Sequence, residues 1–297
     1  MISIAVLPKC WIEDISEGRM DLFEWIDLSV EFECDGLELY GRFLESHETV
    51  YLADVRRRVE ALGMTVPMMC YSPDFTILDP DARKKEIEKQ KEMIRVTAEL
   101  GGSFCRTLSG QQRSNVTLRQ GTDRVVECIE ACLPTAERCG VKLVIENHYK
   151  DGYWQYREFA QKREVFLAIV NRIDSPHFGV QYDPSNALVA GEDPIELLEA
   201  VLPRVMTVHA SDRHLLGGTS LEDLQQADGT LGYPDALVHG VTGQGENDYD
   251  AIFTRLVGAG FNGWISIEDG ENGMDEMKAS VDFLKQMRDK YYGAASE

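Results

Sequence analysis

From residue 141 onward, four short apolar runs each end in one side chain that can hold a cation. Residues 141–149 read VKLVIENHY and deliver Glu146. Residues 177–186 read HFGVQYDPSN and deliver Asp183. Residues 205–212 read VMTVHASD and deliver His209, and residues 263–270 read GWISIEDG and deliver Glu268. An apolar run ahead of a polar tip is the pattern of a buried parallel strand whose carboxyl end opens into a site. Four unrelated strand ends meeting solvent would draw Lys or Arg as readily as Glu, Asp and His, yet these four tips draw neither. Tips of this kind meet only if the strands lie side by side and run the same way.

The rest of the chain keeps the same rhythm. Apolar runs at 2–8, 34–40, 64–71 and 103–108 precede the four already named. Helical spacing of apolar residues predicts helices over 21–33, 49–62, 81–100, 117–139, 157–173, 194–201, 248–257 and 274–292. Asp21 and Asp193 stand where N-caps belong, and Gly63, Gly101 and Gly140 stand where helices stop. Eight strands alternating with eight helices predict an α/β fold, a single (β/α)8 TIM barrel over residues 1–297. No Pro/Gly/Ser-rich linker divides the chain. One segment breaks the rhythm: residues 211–247, after the seventh strand, form a long loop rich in glycine and polar residues. Loops of that length in compact folds serve as lids, binding loops or partner surfaces, so this one is expected to cover the mouth or meet a partner chain.

Charge removes some partners. With 51 acidic against 30 basic residues the net charge is −21, which repels phosphate backbones and anionic membranes. Nucleic acid and membrane are therefore not expected partners. No apolar stretch approaches the roughly 20 residues of a membrane span. The start, MISIAVLPKC, lacks a basic n-region. The seven cysteines contain no CxxC pair and read as reduced thiols of a cytoplasmic protein.

Three carboxylates and one imidazole make an oxygen-rich donor set. It favours one divalent ion, Mn²⁺ first, with Mg²⁺, Co²⁺ or Zn²⁺ as alternatives, over a thiolate-bound structural zinc. Such an ion polarises a sugar carbonyl or a neighbouring alkoxide. His148 lies two residues beyond Glu146 and so points to the same side of the strand. An imidazole there is matched to general-base work near neutral pH. Trp11, Glu38, Arg106 and Trp154 fall where barrel mouths gather sugar contacts, although each reads equally well as a core or salt-bridge residue.

The segments IENHY, QYDPSN, TVHASD, GQGENDYDAIF and GAGFNGWISIE resemble the xylose isomerase-like barrel superfamily. This group holds sugar isomerases and epimerases, hydroxypyruvate isomerase, inosose dehydratase and the family 2 apurinic endonucleases. The resemblance implies that Glu146, Asp183, His209 and Glu268 hold the metal. It also implies that Glu146 and Glu268 form an acid/base pair on opposite faces of the substrate. Asp212 and Arg213 resemble the family's supporting and substrate contacts. Where the family often has His three residues after the Asp, this chain has Asn186, a departure from the ketose epimerases. The endonuclease branch needs a His-rich multinuclear site, and the chain has six His in all, so DNA repair is set aside.

The leading expectation is a metal-dependent sugar isomerase or epimerase acting by proton abstraction next to a carbonyl. The alternative is a lyase that cleaves a 3-keto glycoside by β-elimination with His148 as base, a reaction for which the resemblance implies a small β-sandwich partner subunit. A non-catalytic sugar-binding barrel is the third. Expected partners are a small sugar or sugar derivative and further copies of the chain.

Overall fold

The computed structural model describes residues 1–218, 220 and 237–293. Nine short strands make the main sheet: β1 (Ser3–Val6), β2 (Gly36–Leu37), β3 (Leu39–Tyr40), β4 (Met68–Cys70), β5 (Phe104–Thr107), β6 (Lys142–Glu146), β7 (Phe178–Tyr182), β8 (Val205–Ala210) and β11 (Trp264–Ile267). Their order is β2-β1-β11-β8-β7-β6-β5-β4-β3, and every pairing is parallel. β2 and β3 are two halves of one expected strand, parted at Glu38. One half pairs with β1 and the other with β4, so the sheet closes on itself as the expected barrel of eight staves. Gly36 sits at this closure because a Cβ there would lie 2.8 Å from the Thr65 carbonyl oxygen.

The helices follow the signals in the sequence. Among the described residues they are α1 (Ile12–Ser16), α2 (Leu22–Leu28), α3 (Thr49–Ala61), α4 (Pro80–Glu99), α5 (Leu118–Cys139), α6 (Arg163–Val170), α7 (Pro184–Val189), α8 (Pro194–Val201), α9 (Tyr249–Gly258) and α10 (Met274–Tyr292). Asp21 and Asp193 cap α2 and α8 through their carboxylates, and α5 opens on a capping box of Thr117 and Gln120. Gly140 ends α5 at φ 67°, in the left-handed region where a side chain would be strained. Val125, Ile129, Cys132 and Ala136 recur along the buried face of α5.

Besides the parted strand and the unexpected helix α1, three local features differ from the sequence expectation. The helix expected over 157–173 forms only at 163–170. Its first residues are taken by neighbouring loops: Glu158 N–H donates to Tyr149 O at 2.8 Å and Phe159 N–H to Gly110 O at 2.7 Å. The short helix α7 follows Asp183, whose carboxylate accepts from Asn186 N–H while Pro184 opens the first turn. The loop after β8 carries an antiparallel pair, β9 (Arg213–Leu215) with β10 (Leu237–His239). The centre of that loop lies outside the described residues, and with it the expectation of a lid. Among the described residues no helix is long and apolar enough to cross a membrane. All seven cysteines are free thiols.

Candidate active site

Parallel strands bring their carboxyl ends to one rim of the barrel, and four neighbouring staves meet there. Glu146 ends β6, Asp183 follows β7, His209 lies in β8 and Glu268 follows β11. Their donor atoms all lie within 4.8 Å of one another, and all four residues are buried. His209 Nδ1 is 3.2 Å from Glu146 Oε1 and 3.0 Å from Glu268 Oε2. Each member is also held from behind. Arg106 donates to Glu146 Oε2 at 2.7 Å and Asn186 Nδ2 to Glu146 Oε1 at 3.2 Å. Asp183 Oδ1 accepts from Asn186 N–H and from the Ser211 hydroxyl. Lys9 Nζ stands 3.1 Å from Glu268 Oε1. His209 Nε2 meets Glu38 Oε1 at 2.7 Å.

The electrostatics describe a crowded acidic cluster of a kind that could hold a cation. Burial, with the charges of Glu146 and Glu268, pushes the Asp183 carboxyl up to about 7. Burial alone would lower His209, but the carboxylates of Glu38, Glu146 and Glu268 outweigh it and hold the imidazole well above its ordinary value. Burial would likewise raise Glu146, but His209 and Arg106 pull it down to about 2. Without a cation, protons on Asp183 and His209 offset crowded negative charge. A divalent ion would do the same work better, and three carboxylate oxygens with one imidazole nitrogen could hold one. Were an ion held on the Nδ1 side, Nε2–H would donate to Glu38, the usual carboxylate support behind a metal-binding histidine.

A cavity of about 680 Å³ opens over the cluster. Asp183, Glu268, Asn186, His148 and Arg106 line it. His148 Nδ1 is 3.1 Å from Glu158 Oε2, while Glu158 Oε1 accepts from both the N–H and the hydroxyl of Ser109 at 2.8 Å. Glu158 is fully buried, so its carboxylate is a fixed acceptor. Nε2 is then the ring nitrogen left for a substrate. Burial would lower the His148 imidazole, but the Glu146 charge and the Glu158 hydrogen bond outweigh that effect and raise it.

The other expected site residues divide. Arg106, Asn186 and Arg213 line the cavity. Glu38, expected as a sugar contact, is instead fully buried against His209 and Cys70, because the barrel closes at this point and turns its side chain toward β8 and β4. Trp11, also expected as a sugar contact, stacks its ring 5.5 Å from that of Trp25 and belongs to the core side of the first loop. Trp154 is not among the described residues that line the cavity. Asp212, expected beside substrate, works on backbone. Its carboxylate accepts from the N–H groups of Arg213, Gly243, Gly245 and Asn247. Sequence reasoning missed Lys9, whose signal was its place just past β1, and Glu158, which lies in an irregular loop and left no signal.

Asp212→Ala is expected to cost about 2–4 kcal/mol, since it strands several buried amide donors at once. The check is denaturant unfolding of the purified variant. An unchanged midpoint would remove Asp212 from this role.

Residues 26–287 match the sequence pattern of the xylose isomerase-like TIM barrel family. An inosose dehydratase of Geobacillus kaustophilus is 36% identical over 150 residues, 49% of this chain and 44% of that protein. The match thus spans less than half the length of that relative, as does the match to a 3-oxo-isoapionate decarboxylase of Pectobacterium atrosepticum, 30% identical over 109 residues, 37% of this chain and 34% of that protein. Among solved structures, a D-tagatose 3-epimerase-like protein superposes with a TM-score of 0.75 at 19% identity, covering 99% of this chain and 100% of that one.

Proposed function

The chain belongs to the xylose isomerase-like TIM barrel family, and from that premise we propose a metal-dependent lyase acting on a keto sugar or keto-cyclitol. His148 removes a proton next to the carbonyl, and a group on the following carbon is then expelled. The observation that carries this reading is the contrast between His148 and Glu146. His148 lines the cavity with Nδ1 fixed by Glu158. Glu146 is fully buried, with both oxygens engaged by Arg106, Asn186 and His209. A carboxylate so enclosed can hold a cation but is badly placed to carry a proton to substrate. An imidazole oriented by a third group is the usual arrangement of a general base.

Glu146, Asp183, His209 and Glu268 would hold the ion, for which the donor set favours Mn²⁺. Bound there, a divalent cation supplies a Lewis acid for the substrate carbonyl. The chain's own residues do the rest. Glu158 sets the tautomer of His148. His148 Nε2 takes the proton, and the electron pair of the broken C–H bond becomes the new C=C bond as the leaving group departs with its own pair. Arg106 and Asn186 stand on the cavity wall within reach of hydroxyl oxygens. The partial match to an inosose dehydratase supports an elimination.

A second reading is epimerisation, favoured by the Glu268 carboxylate on the same cavity. There His148 and Glu268 would exchange protons with opposite faces of one carbon. Two measurements test the proposal. Metal analysis of the purified protein is expected to give one divalent ion per chain. Incubation of 3-keto glycosides and keto-cyclitols in D₂O is expected to yield an unsaturated product. A rearranged sugar carrying deuterium on carbon, with no unsaturated product, would decide for the epimerase.

A further inference from the structure

Behind the four-residue cluster stands a second group of donor atoms that the proposed reaction does not use as ligands. Glu38, Cys70 and His209 come from the closure of the barrel, the end of β4 and β8, and all three are buried. Cys70 Sγ is 2.6 Å and His209 Nε2 is 2.7 Å from the same oxygen, Glu38 Oε1. The other oxygen, Glu38 Oε2, is buried with no hydrogen-bond partner among the described residues. A buried carboxylate oxygen without a partner is costly, and an ion is one of the few things that explains it. Cys70 also lines the cavity, so the group has an entry path from solvent. Burial pushes the Cys70 thiol well up and the Arg106 guanidinium offsets only part of that, so a cation binding there has to displace the proton itself.

We propose that Glu38, Cys70 and the Nε2 side of His209 form a second, thiophilic cation site that competes with the four-residue site for His209. The donor set is one sulfur, one nitrogen and one carboxylate. That set selects zinc-like ions over Mn²⁺ and Mg²⁺, whereas the oxygen-rich set on the Nδ1 side accepts the harder ions. A neutral imidazole has one lone pair. If Nε2 binds a cation, the ring proton sits on Nδ1, and His209 can no longer serve the other site. Binding also moves one proton from the Cys70 thiol to solvent. A soft ion bound here therefore dislodges a hard ion bound there, which makes excess zinc an inhibitor.

Cd²⁺ is the probe, because a cadmium–thiolate bond absorbs in the ultraviolet. Adding one equivalent of Cd²⁺ to the Mn²⁺-loaded full chain is expected to produce that band and to release Mn²⁺, read from the spin-resonance signal of the free ion. Cys70→Ser, close in size, is expected to lose the band and to retain Mn²⁺ at several-fold higher Cd²⁺. Glu38→Gln serves as a second variant that leaves the thiol in place, and a weaker band is expected. No band in the wild type, or an undiminished band in Cys70→Ser, would overturn the site. Neither readout depends on turnover, so a wrong substrate or reaction type leaves this test intact. A chain that binds no Mn²⁺ would fail the four-residue centre while the cadmium band still reports on Cys70.

Discussion

Glu268→Gln is expected to lower turnover by about 10³-fold or more and to strip most of the metal from the purified protein. The amide keeps the shape of the side chain but removes one of three carboxylate charges from the cluster. A Lewis acid is worth several kcal/mol at the transition state, and each 1.4 kcal/mol is about tenfold in rate. Glu268 also faces both His209 and Lys9 at hydrogen-bond distance, so the amide disturbs two partners as well as the ion. Rate assays and metal analysis on the same preparation make the check. A variant with wild-type metal content and wild-type rate would take Glu268 out of the centre and, with it, the proposed ligand set.

His148→Ala is the change that separates the chemistry from the scaffold. General-base removal typically costs ~10²–10⁴-fold, and that loss is expected in kcat, with KM moved little and one metal ion per chain retained. Metal content is spared because His148 is not a member of the four-residue cluster. Glu158→Gln is expected to shift kcat in the same direction by less. The amide oxygen can still accept from Nδ1–H, but it no longer offers a charge to the imidazolium that forms on proton transfer. If His148→Ala raised KM and left kcat alone, His148 would be a substrate contact, and the proton would have to move through Glu268.

The four tips were legible in the sequence because each strand carries its own polarity signal. An apolar run followed by Glu, Asp or His can be read without knowing what lies beside it. Asp21, Asp193 and Gly140 were legible for the same reason, since a cap is a local device. What could not be read depends on partners far apart in the chain. Glu38 was expected at the mouth, but it stands between the two halves of a parted strand with its side chain facing His209, 171 residues away, and only barrel closure decides that. Glu158 supports His148 because a loop folds back to pair near Gln111, and the same pairing removes the start of the expected helix. Asp212 was assigned by resemblance and Trp11 by its place near the rim. The rim has two sides, and hydrophobic pattern alone does not say which side a loop residue turns to.

The strand parted at Glu38 puts the closure of the barrel, together with the neighbouring β4–β5 joint, among its most lightly laddered joints. Two residue pairs join β1 to β2 and two join β3 to β4, against four between β1 and β11 or between β6 and β7. Fewer ladder bonds mean a lower local opening energy, so amide hydrogens near Glu38 should exchange with solvent ahead of those in β6 and β7. The residue at the middle of this seam also touches His209. A cation held by the closed ring therefore draws the seam shut by mass action, and exchange at 36–40 becomes a gauge of whether the centre on the far side of His209 is filled.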